Sequence, residues 1–106
     1  MSRNADHAAD RGPAPGDRVR LTAWVHGRVQ GVGFRWATRC RALELGLAGS
    51  ATNYPDGRVL VIAEGPPAAV AALLDWLRGG GTPGTVRTVV ADRGPARGLG
   101  EGFARR

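Results

Sequence analysis

The chain contains no lysine, only one cysteine and no long apolar run. Cys40 alone cannot close an internal disulfide or build a cysteine metal cluster. With His7 and His26 as the only histidines, a zinc site is not expected and no metal ligands are assigned. No apolar stretch approaches the roughly 20 residues of a membrane span. The polar N-terminus also lacks the apolar segment of a secretory signal. No membrane partner is therefore expected, and the cytoplasm is the expected compartment. The missing lysine says little, because arginine-only usage also follows from a GC-rich genome. The charge itself says more. All fifteen basic residues are arginine and the formal charge is +6. Over residues 1–18, Arg3, Arg11 and Arg18 cancel Asp6, Asp10 and Asp17, so the excess belongs to the rest of the chain. Such an excess raises the local concentration of anionic partners and their on-rate.

A length of 106 residues with 42% hydrophobic content allows one compact domain with one modest core. Residues 1–18 mix charge, Ala, Pro and Gly without an apolar period, and read as a disordered arm in which His7 has no role. The domain is expected over 19–106. Val19, Leu21, Ala23 and Val25 alternate with Arg20, Thr22, Trp24 and His26, the period of a strand with one apolar face. Residues 34–45 suit a helix stopped by Gly46. Its apolar residues fall on two sides, Phe34, Ala42 and Leu45 against Trp36, Cys40 and Leu43, and periodicity does not say which side is buried. Residues 49–53 and 58–64 are strand candidates joined by Tyr54-Pro55-Asp56-Gly57, whose Pro and Asp-Gly suit a tight turn. Pro66 and Pro67 open a second helix running to about Arg78, with Val70, Leu73, Leu74 and Leu77 on one stripe. Residues 85–91 read as a strand, 93–101 as a loop and 102–105 as a short edge strand. The order β-α-β-β-α-β predicts an α+β, ferredoxin-like sandwich: an antiparallel sheet of four to five strands with two helices on one face.

The segment Gly27-Arg28-Val29-Gln30-Gly31-Val32-Gly33-Phe34-Arg35 lies between the first strand and the first helix. Glycines there let main-chain N–H groups converge without Cβ obstruction. The helix start adds unpaired N–H groups and a positive dipole end. Arg35 supplies a planar fork matched to phosphate oxygens. Together they predict an anion cradle. No Lys-Ser or Lys-Thr follows the glycines, so it is not a nucleotide P-loop, and Trp36 stands where a dinucleotide fingerprint needs its third glycine.

This nine-residue segment resembles the signature of the acylphosphatase family. So do Ala42-Leu43-Glu44-Leu45-Gly46-Leu47-Ala48-Gly49, the Asn53-Tyr-Pro-Asp-Gly57 segment, Trp76-Leu77 and the terminal Gly102-Phe103. The likeness covers essentially all of 19–106. Thr52-Asn53-Tyr54 departs from it by lacking the hydroxyl that some members carry just after the asparagine. The resemblance implies a ferredoxin-like fold and hydrolysis of an acyl phosphate to a carboxylate and inorganic phosphate, without metal or other cofactor. It implies that Arg35 binds the phosphoryl group and that Asn53 positions the attacking water. Main-chain N–H groups of Gln30, Gly31, Val32, Gly33 and Phe34 would bind the same oxygens.

The topology makes these roles coherent. In a split βαβ unit the first two strands run parallel with the third between them, so the loop and Asn53 emerge at the same end of the sheet. Their separation should be two strand spacings, roughly 10 Å. Asn53 offers an acceptor and a donor for a water, without the charge that would repel phosphate. His26 and Arg28 merely flank the loop on this reading. The alternative from another class is a basic RRM-like RNA-binding module, which shares the β-α-β-β-α-β plan. It needs aromatics on exposed strands for base stacking. Only Trp24 fits, residues 58–64 contain none, and nucleic acid is not the expected partner. A carbamoyl-phosphate-type domain embedded in a larger enzyme is a third reading, disfavoured by the short chain.

Overall fold

The computed structural model describes residues 17–106, so nearly all of the arm expected over 1–18 lies outside the described residues. The elements are β1 (Val19–Arg28), α1 (Phe34–Glu44), β2 (Ala48–Asn53), β3 (Val59–Gly65), α2 (Pro67–Arg78), β4 (Thr85–Pro95) and β5 (Phe103–Arg105). The sheet order is β4-β1-β3-β2-β5. β3 pairs antiparallel with both β1 and β2, so β1 and β2 run parallel with β3 between them. The ferredoxin-like plan holds, with two amendments. β5 pairs with β2 in parallel, which makes the sheet mixed rather than antiparallel. β4 continues to Pro95 instead of ending at Ala91, because β1 offers partners all the way: Leu21 to Arg93, Arg20 to Gly94 and Val19 to Pro95. β4 is an edge strand, where a proline is tolerated.

Alternation decides which strand residues enter the core. Leu21, Ala23 and Val25 of β1, Ala51 of β2 and Val59, Val61 and Ala63 of β3 are fully buried. They meet the α2 stripe of Val70, Leu73, Leu74 and Leu77, where every residue is buried as the spacing requires. α1 turns its Phe34 side inward. Phe34, Thr38 and Ala42 are buried, while Trp36 is 56% and Leu43 41% exposed. The Phe34 ring stacks on Trp76 of α2 at 6.4 Å, and the buried Thr38 hydroxyl donates to the Phe34 carbonyl at 2.8 Å. Cys40 is half-buried and free. Among the described residues no helix is long and apolar enough to cross a membrane.

The face without helices does not present Trp24 for base stacking. The Arg58 guanidinium lies 4.0 Å over its ring, and Tyr54 meets it edge-on at 4.7 Å. Lower on the same face Glu64 is wholly buried, its carboxylate held by the Arg20 guanidinium at 2.8 Å and by three main-chain N–H groups of residues 97–99. Arg18 donates to the Glu64 carbonyl at 3.3 Å, which ties the start of the described chain to the sheet. Burial pushes the Glu64 pKa up. The N–H groups of Arg97 and Leu99, the Arg20 guanidinium and the Gly98 N–H outweigh that and hold it at about 2, against an ordinary 4.5. A depressed folded-state pKa stabilises the fold above the unfolded value and stops doing so as pH falls through the folded one. The difference in Tm between the native chain and Glu64→Gln is therefore expected to be full above pH 4.5 and to shrink steadily toward pH 2. Thermal melts across that range measure it; a pH-independent difference would show that the carboxylate charge is not what stabilises.

Candidate active site

The segment between β1 and α1 is anchored at both ends by buried side chains, Val29 at 1% and Phe34 at 1% exposure. Between them the backbone is held up as a turn. β1 enters it through a bulge between His26 and Gly27. Gly27 has φ +144°, and a Cβ there would collide with the Thr85 main-chain oxygen, so β4 leaves room for glycine alone. Gly33 caps α1 with φ +83°, a left-handed conformation costly for other residues. Among the described residues, the N–H groups of Gln30 through Phe34 make no well-formed hydrogen bond to a protein acceptor. The first turn of α1 holds no acidic residue, so its positive end is uncompensated from within the helix.

Arg35 sits on that first turn. Its Nη1 donates to the main-chain oxygen of Arg106 at 2.8 Å. The Asn53 N–H reaches the same oxygen at 3.4 Å. One oxygen at the far end of β5 thus joins the helix-borne guanidinium to the last residue of β2. Asn53 pairs with Val59, whose buried side chain marks the helix-facing side of the sheet, so its carboxamide lies on the α1 side. Its Oδ1 is buried and receives no donor among the described residues.

These groups border one small cleft of about 100 Å³, lined by Val29, Gly31, Gly33, Phe34, Arg35, Trp36, Asn53 and Arg105. Larger hollows exist, such as one of about 490 Å³ between Arg20, Ile62 and Phe103. None of the loop residues Gln30 through Arg35 borders it.

A model of the acylphosphatase family matches residues 21–104. The chain belongs to the acylphosphatase family. It is similar to an acylphosphatase of Mycobacterium avium (strain 104), 62% identical over 96 residues that cover 87% of this chain and 99% of that one. An acylphosphatase of Mycobacterium tuberculosis is 72% identical over 74 residues, or 70% of this chain and 80% of its own. The crystal structure of acylphosphatase from Bacillus subtilis superposes with a TM-score of 0.77 at 32% identity, covering 83% of this chain and 98% of that one.

Within this family member, Gly31, Gly33, Phe34, Arg35 and Asn53 border the cleft together. Gln30 and Val32 do not line it. The Gln30 side chain has another task. Its Nε2 donates to the carbonyls of Tyr54 at 2.7 Å and Arg58 at 3.1 Å, tying the loop to the hairpin that follows Asn53. His26 stays in the β1 ladder opposite Thr88, and Arg28 borders a separate hollow with Thr85 and Arg87. Sequence reasoning misses Arg105, Trp36 and the oxygen of Arg106. For Arg105 a signal exists: it lies two residues beyond the core residue Phe103 and so on the same face of β5.

Proposed function

We propose that this acylphosphatase-family enzyme holds the phosphoryl group of an acyl phosphate with Arg35 and the N–H groups of Gln30 through Phe34, while Asn53 positions the water that attacks phosphorus. The water oxygen bonds to phosphorus as the acyl oxygen–phosphorus bond breaks. The products are a carboxylate and inorganic phosphate. Phosphoryl transfer asks chiefly for positioning and for positive or donor groups around the equatorial oxygens. A guanidinium fork and successive main-chain N–H groups meet that need in a preorganised form. One N–H of Arg35 is engaged by Arg106, which orients the fork and leaves its remaining donors for the ligand. The observation that carries the reading is the buried, donorless Oδ1 of Asn53 on the cleft that Arg35 and the loop also border.

The cleft lining contains no His, Cys, Asp or Glu. That composition suits a carboxylate leaving group, which departs without being protonated, and fits an ester or amide substrate poorly. Acyl phosphates arise where ATP activates carboxylates, and a cytoplasmic site of action accords with that chemistry. The test is hydrolysis of benzoyl phosphate by the unmodified protein with inorganic phosphate as inhibitor. Turnover well above the uncatalysed rate, inhibited competitively by phosphate, is expected. Absence of turnover, or turnover indifferent to phosphate, would sink the assignment.

A further inference from the structure

β4 and β5 are the two opposite edges of the sheet, so the connection between them must cross it. The crossing passes over the face that carries no helix, because its hydrogen-bond partner, Glu64, projects from that face: the neighbour Ala63 is fully buried on the other. Glu64 lies on β3, the middle strand, between Arg20 of β1 and Ala48 of β2. Its Oε2 accepts from the Arg97 N–H and from Arg20 Nη1, both at 2.8 Å. Its Oε1 accepts from the N–H groups of Gly98 at 3.1 Å and Leu99 at 3.0 Å. Three consecutive main-chain donors thus close on one carboxylate.

Beyond this latch the chain returns to the sheet as a short edge strand. β5 pairs through Phe103, Ala104 and Arg105 against Gly49, Ser50 and Ala51, flanked by main-chain bonds from Gly49 N–H to the Gly102 oxygen at 3.0 Å and from Arg106 N–H to the Ala51 oxygen at 2.7 Å. Short edge strands with few pairings open at low cost. The Phe103 side chain enters the core, and Arg39 Nε donates to the Phe103 carbonyl at 3.0 Å. Three residues later comes the oxygen that Arg35 Nη1 grips. The register of β5 therefore sets where that oxygen stands, and the latch holds the segment that leads into the strand.

We propose that Glu64 is a positioning residue for the reaction: by clamping residues 97–99 it aligns β5, and through the oxygen of Arg106 it orients the Arg35 guanidinium. The proposal rests on the reading of Arg35 as the phosphate-binding side chain.

Glu64→Gln is a sharp test because it keeps the shape. A carboxamide has one acceptor oxygen, so in either orientation its NH₂ group faces two donors, and half of the latch is lost. The inorganic phosphate Kd is read by NMR titration of the Gly31 and Gly33 amides, far below the melting temperature, together with the KM for benzoyl phosphate. Phosphate affinity is expected to fall about ten- to hundredfold, as a displaced positioning group does when it shifts by about 1 Å. Leu73→Ala, a core change away from the latch, is expected to lower Tm while leaving phosphate affinity unaltered. In an Arg35→Ala background, Glu64→Gln should weaken phosphate binding no further, since residues acting through one another do not add. If Glu64→Gln lowers Tm alone, with phosphate affinity and KM intact, Glu64 is only a structural clamp and the proposal is wrong. An undiminished effect in the Arg35→Ala background overturns it too. Should Arg35→Ala by itself leave phosphate affinity unchanged, the reading of the site fails instead. Where Glu64→Gln does not fold, Glu64→Asp keeps the charge but shortens its reach to the three N–H groups of residues 97–99; it is expected to weaken phosphate binding in the same direction, and unchanged binding would overturn the latch.

Discussion

Arg35→Ala is expected to lower kcat/KM for benzoyl phosphate by about 10³-fold, or about 4 kcal/mol of transition-state stabilisation. The size reflects the groups that the side chain supplies. It is the cationic fork on the first turn of α1, next to N–H groups that make no well-formed bond to an acceptor among the described residues. The phosphoryl group would keep those N–H donors but lose its charge partner. Arg35→Lys should recover little, because an ammonium lacks the planar geometry that bonds the Arg106 oxygen and a phosphoryl oxygen together. Steady-state kinetics with phosphate inhibition measure both variants. Turnover within a fewfold of the native chain would remove Arg35 from the reaction.

Asn53→Ala should behave differently. A fall in kcat of about 10²-fold is expected, with the inhibition constant of phosphate nearly unchanged, because a water-positioning group is needed for attack and not for holding the anion. Its buried Oδ1 has no donor among the described residues, so truncation leaves no new unpaired partner there and the fold should tolerate it. Asn53→Asp, by contrast, sets a carboxylate beside a phosphoryl dianion and should impair phosphate binding as well. Collapse of phosphate affinity in Asn53→Ala would reassign the residue to ligand binding.

The two helices differ in how far their sequences reveal them. α2 carries one apolar stripe, and its four stripe residues are the four that are buried. α1 carries apolar residues on two sides, and only the position of the sheet and of Trp76 decides that Phe34 goes inward while Trp36 stays exposed. β4 reads too short because Arg93, Gly94 and Pro95 are poor strand residues by themselves; the length of β1 imposes their pairing. The sequence points to Gln30 through its main chain, and nothing local shows that its amide spans to a hairpin some two dozen residues on.

The chain order alone settled the alternation of strands and helices, the glycine turn before α1 and the guanidinium that follows it, since these depend on dihedral preferences and apolar period over a few neighbouring residues. It also put Arg35 and Asn53 at one end of the sheet, because a split βαβ unit leaves no other arrangement. Tertiary structure decided the rest: that β5 returns across the whole sheet to lie parallel beside β2, that Glu64 latches its approach, and that an oxygen from the last residue meets Arg35. Those contacts join residues far apart in sequence, and pairing of that kind is chosen by burial and hydrogen-bond satisfaction over the folded whole, which local patterns do not encode.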